Sequence, residues 1–279
     1  MIDLHTHTNH SDGTWNTKRL LEEAEKTKLE VLAITDHDTL DAHFELEKDE
    51  NLRNTFTGKI KTGIEFNTVY DGVHFHMLAY DFDIHKLQPF VHKYYNLRKP
   101  DLRLEFEEMM KSIKKSNLKI DVITYDEKEG WPIDIIYPEV TKYEENRKYF
   151  KDEEWNDIDV FFNSCVTNKN FPVAVNFEIH YPNAKLVAEE VRKAGGKTFV
   201  AHVYRYNLED EIAFLDMLKN DKIIDGVEVY HSSFTEKQSE KLLEYCNENN
   251  LLISGGTDCH RRKEKRQENR NRVWQYVYR

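Results

Sequence analysis

The sequence predicts an α/β fold organised on a parallel sheet or barrel, and two observations carry that expectation. Short apolar runs of strand character alternate with amphipathic helical stretches, the pattern of successive βαβ units. Histidine and carboxylate residues also gather at the ends of those runs, where α/β barrels place their chemistry. At 279 residues the chain accommodates one large α/β domain or two smaller ones, and it buries a core without disulfide staples.

Residues 2–4 read as the first strand, and 17–28 as a helix with Leu20, Leu21 and Ala24 on one face. Residues 31–35 form a second buried strand. Residues 59–66 and 73–80 form two more, joined by the turn Asp71-Gly72. The stretch 86–115 is charged and mostly helical, with a break expected at Pro100. Residues 125–182 are rich in aromatic and acidic residues and show no clean period. Alternation resumes with a helix over 184–194, closed by Gly195-Gly196. A strand at 198–201, a helix at 209–219 and a strand at 226–230 follow, then a helix at 236–249 and a last strand at 251–254. The expected organisation is a main domain of residues 1–86 and 183–279, with 87–182 as an inserted, largely helical subdomain packed over one face. The charge run 261–272 reads as a solvated helix.

With 40 basic and 51 acidic residues the net charge is −11. This disfavours nucleic acid and an anionic membrane surface as partners, and leaves room for a small phosphorylated substrate at a local site. No apolar run reaches membrane-spanning length, and the first residues lack the basic and apolar regions of a signal peptide. Three scattered cysteines without a CxxC motif suit a reducing, cytoplasmic setting.

His5 and His7, two apart at the end of the first strand, point to one side of an extended chain. Asp12 follows in a loop, and Asp36-His37-Asp38 comes directly after the second strand. Glu65 ends the third. His76 lies on the fourth, with His74 as the alternative if the register shifts by two. His202 ends the strand 198–201, and Asp258-Cys259-His260 ends the last. Imidazole and carboxylate without thiolate favour zinc, manganese or iron over a structural thiolate zinc site. The donors exceed what one tetrahedral ion needs, which implies a multinuclear centre. Asp36 and Asp38 read as carboxylates that orient ligand imidazoles. Arg205 is a candidate phosphate clamp, and His231 a candidate leaving-group acid or substrate contact. Cys259 points away from its neighbours and reads as structural. His10, His43, His85, His92 and His180 belong to surface or core, and Trp131, Tyr137 and Trp155 to a satellite core.

These motifs resemble the PHP (polymerase and histidinol phosphatase) family of metal-dependent phosphoesterases. The matching stretches are DLHTHTNHSDGT at 3–14, LAITDHDTL at 32–40, GIEFN at 63–67, HMLAY at 76–80, AGGKTFVAHVYRY at 194–206, DGVEVYHSS at 225–233 and GGTDCH at 255–260. They span most of the chain outside the insertion, and are most similar to the stand-alone branch acting on nucleotides and similar small phosphomonoesters. The resemblance implies a distorted (β/α)7 barrel holding two or three divalent ions (Mn, Fe or Zn). It implies one ion on His5, His7, Glu65 and Asp258, a second on Asp12, His37 and His260, and a third on His76 and His202 with Glu65 bridging. A metal-bridging hydroxide would attack phosphorus. Two features depart from the family: Val203 replaces the proline of its AHP motif, and the segment around Arg98 and Arg103 follows the nucleotide branch's arginine helix only loosely. The expected activity is hydrolysis of a small, nucleotide-like phosphomonoester. The alternatives are a histidinol-phosphate phosphatase, an exonuclease-like phosphodiesterase and a metal-binding module without catalysis. Three carboxylates and three divalent ions would leave the pocket about +3, which reconciles an acidic protein with one small phosphate.

Overall fold

The computed structural model describes residues 1–96, 102–126, 130–167, 171–206 and 208–260. Seven strands lie side by side in sequence order: β1 (Ile2–Asp3), β2 (Val31–Ile34), β3 (Lys59–Tyr70), β4 (Val73–Tyr80), β5 (Lys197–Val200), β6 (Gly226–His231) and β7 (Leu252–Gly256). The sheet curls until its edges meet. Leu4 N–H donates to the Gly255 carbonyl at 3.1 Å and Asp258 N–H to that of His5 at 2.9 Å, while Thr6 pairs with Cys259. Buried Asp3 fastens the seam, accepting from the Thr257 amide at 2.9 Å and hydroxyl at 2.7 Å. The result is a nearly closed α/β barrel.

The sheet is mixed rather than parallel throughout. β4 runs antiparallel to both β3 and β5, whereas the other neighbours are parallel. The cause is local: Asp71 and Gly72 both have positive φ, 49° and 76°, the backbone of a two-residue hairpin turn that suits the twist of its strands. Asp and Gly tolerate that conformation better than other residues. The hairpin also carries β3 four residues past its expected end at Phe66.

Strand alternation separates two layers. Phe66, Phe75, Met77, Val200, Val227 and Val229 point outward into the main helix-covered core. Ala33, Leu78, Tyr80, Phe199 and Ala201 form a small apolar cluster of their own, the plug of the barrel. The helix Thr17–Lys26 starts at Asn16, whose side chain accepts from Arg19 N–H, and buries Leu20, Leu21 and Ala24 against Leu32 and Ile34. The helix Ala184–Lys193 buries Val187, Ala188 and Val191 and stops before Gly195, at φ +91°.

Between β4 and β5 the chain forms helices Ile84–Val91, Leu102–Lys115 and Pro132–Thr141 with several single turns. Phe106, Met109, Ile113, Ile136, Val140 and Phe161 build a separate apolar cluster, which β3 joins through Val69. Trp155 is buried and takes the Tyr137 hydroxyl on its carbonyl, but Trp131 is 44% exposed and not part of that core. Pro100, Arg98 and the run 261–272 lie outside the described residues; Arg103 is exposed. No helix among the described residues is long and apolar enough to cross a membrane.

Candidate metal centre

At the mouth of the barrel, inward positions that were apolar lower down become polar. β3 contributes Glu65, β4 His76 and β6 Glu228, while the segments following β1, β2, β5 and β7 bring His5 and His7, His37, His202, and Asp258 with His260. Glu65 lies inside β3, not at its end as expected, and His76 lies inside β4. Because β4 is reversed, its first half reaches the same end of the barrel as the C-termini of its neighbours. The two segments pair side by side, Asn67 opposite His76.

Glu65 is the hub. Its Oε2 lies 2.9 Å from His5 Nε2, 3.1 Å from His7 Nε2 and 3.4 Å from His37 Nε2. Its Oε1 lies 3.0 Å from both His76 Nδ1 and His202 Nε2. Asp258 Oδ1 stands 3.3 Å from His7 Nε2 and 3.2 Å from His260 Nδ1, and Asp12 Oδ2 lies 3.0 Å from His260 Nε2. Four overlapping donor groups result: His5, His7, Glu65 and Asp258; His7, Asp12, His37 and His260; His5, Glu228 and His231; and His37, Glu65 and His76. His202 joins the last through Glu65.

Electrostatics divides the cluster. Burial raises the energy of the Glu65 carboxylate, but His5, His37 and His76 outweigh it and hold its pKa well below the usual range. Asp258 is likewise held low against burial, by His5 and by hydrogen bonds from its histidine neighbours. Burial holds His37 down to about 3 and drives His202 well below an ordinary imidazole. For His260, Asp12 and Asp258 overcome burial and push the pKa up to about 10. Ionised carboxylates and neutral imidazoles are the ligating forms.

The donor set fits divalent cations. Both nitrogens of His7, Nδ1 of His37 and of His202, and Oδ1 of Asp258 are buried with no hydrogen-bond partner. Buried polar atoms are normally paired, and of these residues His7, His37 and Asp258 belong to the donor groups. The backbone is constrained to match: His202, Asp258 and Asp38 take positive φ of 22°, 53° and 57°, conformations that cost energy for side-chain-bearing residues.

Asp36 and Asp38 differ from expectation. Among the described residues no hydrogen bond from either reaches an imidazole. Asp36 instead accepts from the Thr8 amide and hydroxyl and from Ser11, and so pins the loop that carries Asp12. Asp38, whose pKa burial raises to about 7, accepts from the backbone and side-chain amides of Asn67. Arg205 and His231 both approach Asp258 Oδ2, at 3.0 and 3.2 Å. His74 packs against the rings of Phe177 and Tyr181 and is hydrogen-bonded to Asn67. Glu228 was missed: it is fully buried, with Oε1 2.8 Å from His5 Nδ1. A carboxylate in the middle of the apolar run Gly226–Tyr230 was the available signal.

An α/β barrel whose mouth holds a buried cage of imidazoles and carboxylates defines a metal-dependent hydrolytic centre. The PHP domain model matches residues 3–277, and the chain belongs to that family of metal-dependent phosphoesterases. A 5′-3′ exoribonuclease of Haemophilus influenzae is 24% identical over 261 residues, covering 92% of this chain and 89% of that protein. The 5′-3′ exoribonucleases Rnm of Salmonella typhimurium and Escherichia coli are 33% and 34% identical over 84 residues, and the chain matches 28% of their length. Among solved structures, a candidate metal-dependent phosphoesterase from Bifidobacterium adolescentis shares the fold with TM-score 0.60 and 23% identity, over 100% of this chain and 96% of that one. An amidohydrolase from Chromobacterium violaceum gives TM-score 0.65 and 19% identity, over 93% and 87%.

Proposed function

We propose that this chain hydrolyses a nucleotide-class phosphate ester at a centre of two or three divalent ions, manganese, iron or zinc. The observation that carries the reading is Glu65 ringed by five imidazoles with unpaired nitrogens beside it. His5, His7, Glu65 and Asp258 would hold one ion, Asp12, His37 and His260 a second, and His76 and His202 with Glu65 a third. When bound, such ions neutralise phosphoryl oxygens and make water nucleophilic near neutral pH.

The chain's own groups do the rest. Asp36 holds the Asp12 loop, and Asp38 holds Asn67 beside His76. His231 and Arg205 occupy the outer oxygen of Asp258 and leave its inner oxygen turned to the cluster. Arg205, 32% exposed, joins a cation to open surface beside the centre, which is what a phosphate contact requires. His231, whose ring nitrogens meet Ser233 and Asp258, would be the group that passes a proton toward a departing oxygen. Two buried thiols and one half-buried thiol, none of them in a disulfide, suit a reducing cytoplasm.

Net charge of −11 favours a mononucleotide-sized substrate. A second reading, removal of nucleotides from the 5′ end of RNA, is supported by the Haemophilus relative, which matches nearly end to end. That likeness weakens the expectation against nucleic acid. The deciding experiment compares nucleoside monophosphates, histidinol phosphate and a 5′-phosphorylated oligoribonucleotide labelled at its 3′ end. Inorganic phosphate from the monophosphates supports the first reading, and stepwise shortening of the oligonucleotide supports the second. Turnover of histidinol phosphate alone overturns both.

A further inference from the structure

Glu228 is an expensive residue to bury: a carboxylate with no solvent exposure, flanked by Val227 and Val229 on β6. Among the described residues each of its oxygens has one hydrogen-bond partner. Oε1 lies 2.8 Å from His5 Nδ1, and Oε2 accepts the backbone N–H of His202 at 2.7 Å. The two partners belong to different segments, one following β1 and one following β5. They also flank the hub from opposite sides, His5 on Glu65 Oε2 and His202 on Glu65 Oε1. We infer that Glu228 is a positioning residue that sets both imidazoles at once; this rests on the metal-binding reading of the cluster.

The first contact selects a tautomer. A carboxylate facing Nδ1 keeps the proton there and turns the free lone pair of Nε2 toward Glu65 and Asp258. The second contact anchors backbone. His202 sits at φ +22°, and its N–H on Glu228 helps to hold that conformation so that its Nε2 meets Glu65. Glu228, His5 and His231 also lie close together, but an imidazole that ligates an ion through Nε2 keeps its proton on Nδ1, so His5 would face Glu228 as a hydrogen-bond donor.

Both contacts require Glu228 to accept, and this makes Glu228→Gln a sharp test at nearly constant shape. With its amide oxygen on the His202 N–H, the amide nitrogen donates to His5 Nδ1 and forces the ring proton onto Nε2, the nitrogen that must be free. With the amide reversed, two donors face each other at the His202 backbone. Neither arrangement satisfies both sites.

The experiment measures zinc affinity of full-length wild type and Glu228→Gln by chelator competition, together with imidazole 15N–1H correlations of the zinc-loaded proteins. The expected result is zinc binding weakened by about 10- to 100-fold, with unchanged circular dichroism and loss of the His5 Nδ1–H signal. Wild-type affinity with that signal retained overturns the inference. If Glu228→Gln does not fold, Glu228→Asp, with both acceptors on a shorter arm, takes its place. Weakened zinc binding then supports the role, and wild-type affinity overturns it. Failure of wild type itself to take up zinc, manganese or iron strikes the metal-binding reading; uptake by wild type and variant alike strikes only the role of Glu228.

Discussion

Glu65 Oε2 faces His5 Nε2 across 2.9 Å, and neither side chain has any exposed surface. An ionised carboxylate at that depth persists because ring N–H groups and imidazolium charge face it, a role that a divalent ion on the same side chains would take over. Glu65→Gln keeps the shape and removes the charge shared by the two donor groups that contain Glu65. It is expected to lower bound metal below one ion per chain and phosphoester hydrolysis by at least about 100-fold. Metal analysis of the folded variant beside a rate assay checks this, and normal metal content would count against the hub.

Gly256 tests the backbone that carries His5. A Cβ there would lie 2.4 Å from the His5 nitrogen and 2.3 Å from its Cβ, contacts that real structures do not tolerate. Gly256→Ala is expected to displace His5, costing about 2 kcal/mol or more of stability and most of the bound metal. Urea unfolding with metal analysis reads both; wild-type values for both would show that the seam yields more easily than its geometry suggests.

Thr257 closes the barrel from the other side, its hydroxyl donating to buried Asp3 at 2.7 Å. Thr257→Val retains volume and leaves that carboxylate oxygen unsatisfied, at a cost of about 1–3 kcal/mol. The expected outcome is a lower urea midpoint with an unchanged slope.

Glu105 supplies a pH test away from the centre. It is 4% exposed, and burial with Glu108 nearby raises its pKa to about 7 from the ordinary 4.5. A raised folded pKa means that the unfolded chain releases this proton first. Stability is therefore full below about pH 4.5 and declines as pH rises toward 7, by up to about 3 kcal/mol. Glu105→Gln is expected to flatten that decline and to be the more stable form at pH 8. Parallel unfolding curves for both proteins from pH 5 to 8 check it, and identical pH slopes would contradict it.

Much of this was legible in the sequence for identifiable reasons. The HxH pair at His5 and His7, the histidine of Asp36-His37-Asp38 and the paired Asp258 and His260 each follow a strand signal, so chain order alone brought them to one end of a barrel. The turn Asp71-Gly72 announced the hairpin, but the positions of Glu65 and His76 within their strands were not readable, since that depends on how far the hairpin extends beyond the barrel. The partners of Asp36 and Asp38 were misread because a carboxylate beside a ligand histidine can bond backward to a loop as easily as sideways to a ring; only the close approach of Thr8 and Asn67 decides. Trp131 carried an aromatic signal that burial does not bear out. Nothing local shows that Glu228 would meet His5, 223 residues away.

The most direct test of the central claim is hydrolysis of p-nitrophenyl phosphate by chelator-stripped protein, before and after reloading separately with manganese, iron and zinc. Turnover is expected to be negligible when stripped, to recover with at least one of the three metals at two or three bound ions per chain, and not to recover in Glu65→Gln. Turnover by the stripped protein equal to that of the reloaded form would contradict the central claim.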